Sequence, residues 1–221
     1  DPNIVDQYAF DYCFNINNIE IGKEDGVIDG DLRQYSFKRI GGNATNGSLK
    51  INKTIANLGY EAFRADASYK WIQSADLNCQ TIGFAAFGEH SNMTELTFGS
   101  GVKNIGVGYG AGVAQSFYQC YGLTGVTIPD PENIWYYSFQ QCNSITGVYV
   151  GNDTEGTQGI IRQDAFRELG TNAGNGHLYV GSSIGLVGYE AFRANTSYKW
   201  IQNADLNCQT IGFAAFGEHS N

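Results

Sequence analysis

Two glutamate–histidine pairs, Glu89-His90 and Glu218-His219, set a carboxylate beside an imidazole, the combination used in general acid–base catalysis. They recur because their surroundings recur. Gly59–Asn92 and Gly188–Asn221 differ at three of 34 positions, Asp66 against Asn195, Ala67 against Thr196 and Ser74 against Asn203. Each pair follows a Phe, and the reading is a solvated turn in which His90→Ala changes little. The five cysteines offer thiol chemistry, but an odd number cannot all pair internally, and there is no CxxC to go with three scattered histidines. No metal site or other cofactor is expected. Cys13, Cys120 and Cys142 each lie three residues after a Phe, and Cys79 and Cys208 each lie eight before one. That regularity predicts a ladder of small buried thiols, within which Cys120 and Cys142 on consecutive coils come near enough to pair. The acids fall in irregular turns such as 1–6 and 23–31, whereas a glycosidase needs two carboxylates at one fixed separation. Phosphate-loop, dinucleotide-binding, GxSxG and HExxH motifs are all missing. The triplets at Asn43, Asn46, Asn52, Asn92, Asn152 and Asn195 are glycan acceptors only in a glycosylating host.

Charge narrows the partners. A formal net charge of −9 and a pI near 4.7 exclude nucleic acid and anionic membranes as general electrostatic partners, because those need a basic patch. No run of apolar residues approaches the roughly 18 of a membrane span. The composition, with 29 Gly, 14 Tyr and a single Met, leans to strands and turns rather than helix.

What must hold these side chains is a repeat. A small residue followed by Phe recurs at Phe10, Phe37, Phe63, Phe87, Phe117, Phe139, Phe166, Phe192 and Phe216, at spacings of 22 to 30 residues. Self-similarity at that period indicates a solenoid, in which each coil buries its apolar face only against its neighbours. At an offset of 129 residues, residues 1–92 also align without a gap on 130–221. We therefore expect one solenoid of about nine coils over residues 1–221, internally duplicated and cut inside a coil at both ends, as a segment of a longer array would be. The coil from Cys120 to Cys142 serves as the ruler. Val126, Thr127 and Ile128 alternate as a short strand, and Pro129, lacking an amide hydrogen, ends it. The same frame predicts strands at Ile19–Ile21, Leu49–Ile51, Leu96–Phe98, Val148–Val150 and Leu178–Val180, stacked into one continuous parallel sheet. Each Phe fills the side opposite its strand, and the small residue before it lets successive backbones approach.

The segments LTGVTIP, TIGFAAF, NLGYEAF, SFYQC and SFQQC together resemble the BspA-like leucine-rich repeats, over nearly the whole chain. Arg33 and Arg162 depart from the pattern by replacing a Gly, residues 106–112 form a Gly-rich insertion, and the segments 68–79 and 197–208 do not align cleanly at the strand. The resemblance implies a β-rich leucine-rich-repeat solenoid, with a parallel sheet on the concave face and mostly irregular or short helical turns on the convex one. It also implies a secreted or cell-surface protein of a host-associated microbe, with adhesion or protein binding as its role and no catalytic residues.

In such a solenoid the residues between the buried strand positions point outward and form the commonest binding surface. Here they are Glu20, Lys50, Thr97, Thr127, Tyr149 and Tyr179. Tyr149 and Tyr179 should be neighbours, with Tyr198 or Trp200 extending them onto the next coil, and exposed aromatics add contact area at small entropic cost. These four are the candidate binding residues, and the expected partner is a host or microbial surface protein or glycan. A polysaccharide-acting or glycan-binding β-solenoid, or a spacer carrying another domain, are the alternatives.

Overall fold

The computed structural model describes residues 3–42, 46–66, 68–108, 113–154, 158–170, 175–195, 197 and 199–219. Every strand pair it contains is parallel, and among the described residues there is no helix. The expected fold class is the observed one, a β-solenoid of leucine-rich-repeat type. Parallel stacking follows from the repeat, since a chain that climbs by one coil at a time lays like on like.

Three ladders enclose the core. The first was not foreseen. It is a nine-stranded sheet of short strands at Ile4–Val5, Gly30–Leu32, Ile55–Leu58, Thr81–Gly83, Asn104–Val107, Asn133–Ile134, Gly159–Ile161, Ile184–Val187 and Thr210–Ile211. One aliphatic row runs through it in register, from Val5 through Leu32, Leu58, Ile82, Ile105, Ile134, Ile161 and Val187 to Ile211. The second ladder is the predicted strand face, but it is broken into two sheets. Asn18–Ile21, Gly47–Ile51, Ile72–Leu77 and Glu95–Phe98 form one, and Gly125–Ile128, Gly147–Val150, Gly176–Val180 and Ile201–Leu206 form the other. The expectation of one continuous sheet is thus corrected. The break falls at Phe98, which takes the inward position held by Ile21, Ile51 and Leu77 on the strands paired before it. Its ring stands edge-on to Phe117 and Phe139, at 5.6 and 6.3 Å. A ring there needs more depth than a branched aliphatic chain, and the strands part at this step. Ile72–Leu77 and Ile201–Leu206 are the two strands whose sequences depart from the frame, and each joins its neighbour through a register shift, after Gly47 and after Gly176.

The third ladder is the Phe row. All nine landmark rings stack in sequence, with successive centroids 4.7 to 5.5 Å apart and planes within 8°. The small residue before each Phe has a backbone role as well. The Phe37 amide donates to the Ala62 carbonyl, Phe63 to Ala86, Phe117 to Ser138 and Phe139 to Ala165, each at 2.7 to 2.9 Å. These turns therefore hydrogen-bond along the axis as strands do. To aim alternate amides that way, the residues two before and two after the Phe turn left-handed: Tyr8 and Tyr12, Tyr35 and Arg39, Gln115 and Gln119, Tyr137 and Gln141, and Asp164 and Glu168 have φ between 48° and 61°. Such a conformation costs a non-Gly residue about 1 kcal/mol or more, so it persists only where the ladder over-determines it.

A polar group closes several of the rungs, whereas Ile40 and Leu169 fill the same place on others. Three residues after its Phe, Cys120 donates to the Phe87 carbonyl at 3.3 Å and Cys142 to that of Phe117 at 3.1 Å. His90 occupies the same place and contacts the Phe63 carbonyl through Nε2 at 2.6 Å. The reading of His90 as a solvated turn residue is overturned, because it is fully buried and burial pushes its imidazole down to about 4. All five cysteines are free. Burial pushes the Cys79 and Cys142 thiols up to about 12, which suits inert packing.

Trp200 was expected at the surface and is 1% exposed. Gly170, with φ 56°, explains why: a Cβ there would lie 2.6 Å from that of Trp200, so the indole lies under a backbone that only glycine allows. Gly41 and Trp71 repeat the arrangement in the first block, with φ 63° and an approach of 2.5 Å. Tyr198 lies outside the described residues.

Candidate functional site

Strand register fixes the outward row on each four-stranded sheet. On the first sheet it reads Glu20, Lys50, Asp76, Thr97, and on the second Thr127, Tyr149, Tyr179, Asp205. Tyr149 and Tyr179 are direct register partners, as the coil frame required. Their rings stack at 6.4 Å with a 28° tilt, and Tyr149 is 42% exposed. The position expected for Trp200 or Tyr198 at the end of this row belongs to Asp205.

A second outward row runs beside the tyrosines, through Gly125, Gly147, His177 and Asn203. Gly147 leaves the Tyr149 ring open on that side, since a Cβ there would meet it at 3.4 Å, and His177 lies 5.4 Å from it. His177 bridges the Tyr149 hydroxyl, 3.2 Å from Nδ1, and the Asp205 carboxylate, 3.0 Å from Nε2. A carboxylate can only accept, so Nε2 carries the proton, and in the neutral ring Nδ1 accepts from the Tyr149 hydroxyl. Tyr179 is held from its other end. Its hydroxyl bonds Asp153, which raises the phenol's pKa and holds the Asp153 carboxyl below the usual carboxylate range. Asp153 also accepts from the Ser182 amide at 3.2 Å and from Asn207 Nδ2 at 3.4 Å. Both rings are therefore fixed while their surface stays in water.

The first face carries different chemistry on the same frame. Lys50 Nζ lies 3.0 Å from Glu20 and 3.6 Å from Glu24, Asn52 donates to Glu20 at 3.0 Å, and Asn78 donates to Glu24 at 3.3 Å. The Asn52 and Lys50 contacts pull the Glu20 carboxyl down. That face pairs Lys50 with its own carboxylates.

Of the four residues named from the sequence, the structure brings Tyr149 and Tyr179 together and removes Trp200 to the core. His177, Asp205, Asp153 and Asn207 were missed. The 129-residue offset pairs Asp205 with Asp76 and Asn207 with Asn78, but the signal was unreadable while the strand that carries them was unaligned. As chemistry, a His–Asp pair with Asp205 two-thirds exposed lies on an open face and not in a cleft. An open, rigid, aromatic and polar surface suits recognition better than catalysis, which works by excluding water. Among the described residues no three His, Cys, Asp or Glu side chains are grouped to hold a metal ion, and no helix is long and apolar enough to cross a membrane.

The family model described as BspA type leucine rich repeat region matches six copies, over residues 3–146 and 113–221. No curated protein and no solved structure matches the chain.

Proposed function

Because the chain belongs to the BspA-type leucine-rich-repeat family, we propose that it is a cell-surface or secreted adhesion module of a host-associated microbe, which docks a partner protein on the outward face of its second four-stranded sheet. Solenoids of this class serve protein–protein interaction through such faces. The observation that carries the choice of face is the contrast between the two sheets. At the places where the first sheet holds its own cation, Lys50, between Glu20 and Glu24, the second sets Tyr149, Tyr179 and Asp153. Fixed aromatic rings bordered by polar groups lose little side-chain entropy on binding, which makes them suited to be interface anchors.

The test is a screen of the purified chain against host matrix proteins, microbial surface proteins and glycans, alongside the Tyr149→Ser/Tyr179→Ser double variant. Retention of a protein by the wild type and its loss in the double variant is the expected result. Retention of a glycan alone favours the polysaccharide reading. Equal retention by both proteins removes this face from consideration.

A further inference from the structure

We infer that the second face receives a cationic side chain of the partner, an arginine above all, seated against the Tyr179 ring beside Asp205 and Asp153; this rests on the protein-binding reading above. The first face supplies the template, because there the cation belongs to the chain. Lys50 stands in the outward row between Glu20 and Asp76 and lies within 3.6 Å of Glu24. At an offset of 129 residues Asp76 becomes Asp205 and Glu24 becomes Asp153, while Lys50 becomes Tyr179. Two of the three acids recur, Glu20 giving way to Tyr149, and the cation does not. Among the described residues neither Asp153 nor Asp205 forms an ion pair with Lys or Arg.

Both carboxylates border one ring. Asp205 is the register partner of Tyr179, and Asp153 accepts from its hydroxyl. Tyr149 stacks beside the Tyr179 ring on one neighbouring strand, and Asp205 is its register partner on the other. His177 takes up part of the Asp205 carboxylate, which has several acceptor positions in all. A guanidinium fits these features together, since it is flat enough to stack on a phenol ring and its forked donors match a carboxylate. The ammonium of a lysine uses the charge alone.

The probe is a capped tetra-arginine peptide titrated into the whole chain at low salt, beside tetra-lysine and the uncharged tetra-citrulline. Arginine should bind more tightly than lysine, and citrulline not measurably. Asp205→Asn and Asp153→Asn should each weaken arginine binding by about tenfold. Tyr179→Lys, which restores the built-in cation, should abolish it, while Glu20→Gln on the first face should leave it unchanged. Matching urea midpoints for the variants establish that the fold is intact. Failure of the arginine peptide to bind, or equal binding by wild type and Tyr179→Lys, overturns the inference. So does an equal loss on Glu20→Gln, because binding then follows overall charge. A protein partner that depends on Tyr149 and Tyr179 but is indifferent to Asp205→Asn overturns the cation and leaves the docking face standing. Absence of any face-dependent protein partner removes the docking face itself.

Discussion

The two four-stranded sheets are built on one frame and present different surfaces. Inward, both carry a row of branched aliphatic side chains, and both set a Trp, Trp71 or Trp200, beneath a left-handed Gly. Outward, one carries a lysine paired with its own glutamates and the other two tyrosines, a histidine and two aspartates. Inward positions must match the coils on either side, so a change there is felt by both neighbours. Outward positions meet only water and the next strand, so the same coil accepts a glutamate at Glu20 and a tyrosine at Tyr149. In this molecule the interior specifies the fold and the outward row is free to specify a partner.

Position in the stack should separate otherwise equivalent residues by the widest margin. Phe139 has a ring on each side and is fully buried, whereas Phe10, its equivalent in the first block, stacks only on Phe37 among the described residues and is 37% exposed. Phe139→Ala should cost about 3–5 kcal/mol and Phe10→Ala about 1–2 kcal/mol, read as urea midpoints. Equal costs would mean that the coils do not depend on both neighbours.

Acid should separate the histidines next. His90 is buried neutral, with its pKa lowered from 6.5 to about 4. A lowered folded-state pKa means that the unfolded chain binds the proton more readily. The stabilisation from this group is therefore complete above pH 6.5 and is lost progressively as pH falls towards 4, by about 3 kcal/mol in all. His90→Cys keeps a donor to the Phe63 carbonyl, as Cys120 does for Phe87, but has nothing to protonate in that range. The difference in stability between wild type and variant should shift across that window, and parallel curves would sink the argument. His219 is less buried and its pKa is lowered in the same direction, so it should show the same sign with a smaller slope.

Changes to the outward rows should cost least. Tyr149→Ser/Tyr179→Ser should lower stability by about 1 kcal/mol, the worth of one stacked cross-strand pair, while removing binding. The exchange Lys50→Tyr with Tyr179→Lys should leave the urea midpoint within about 0.5 kcal/mol, as expected for surface positions, and should weaken binding at the second face. A large destabilisation in either case would show that the outward rows also hold the fold.

The repeat, the parallel stacking and the Phe row were all legible in the sequence, because a coil that must bury itself against its neighbours has to repeat its apolar positions. Tyr149 and Tyr179 were legible for the same reason, since an alternating strand declares which side chains point away from the core. The left-handed turns around each Phe were not, because Tyr, Gln, Asp and Glu carry no mark of φ near 57° and adopt it only when amides on the next coil reward it. Trp200 and His90 were misplaced because an aromatic ring and an imidazole suit both surface and core. The left-handed Gly170 and the Phe63 carbonyl, contributed from other coils, decided for the core. The His177–Asp205 contact depends on a register shift after Gly176 that slides one strand along another. Composition and periodicity thus determined what each coil buries. Which surface residues meet was decided only when the coils stacked, since register between strands comes from neighbours far apart in the chain.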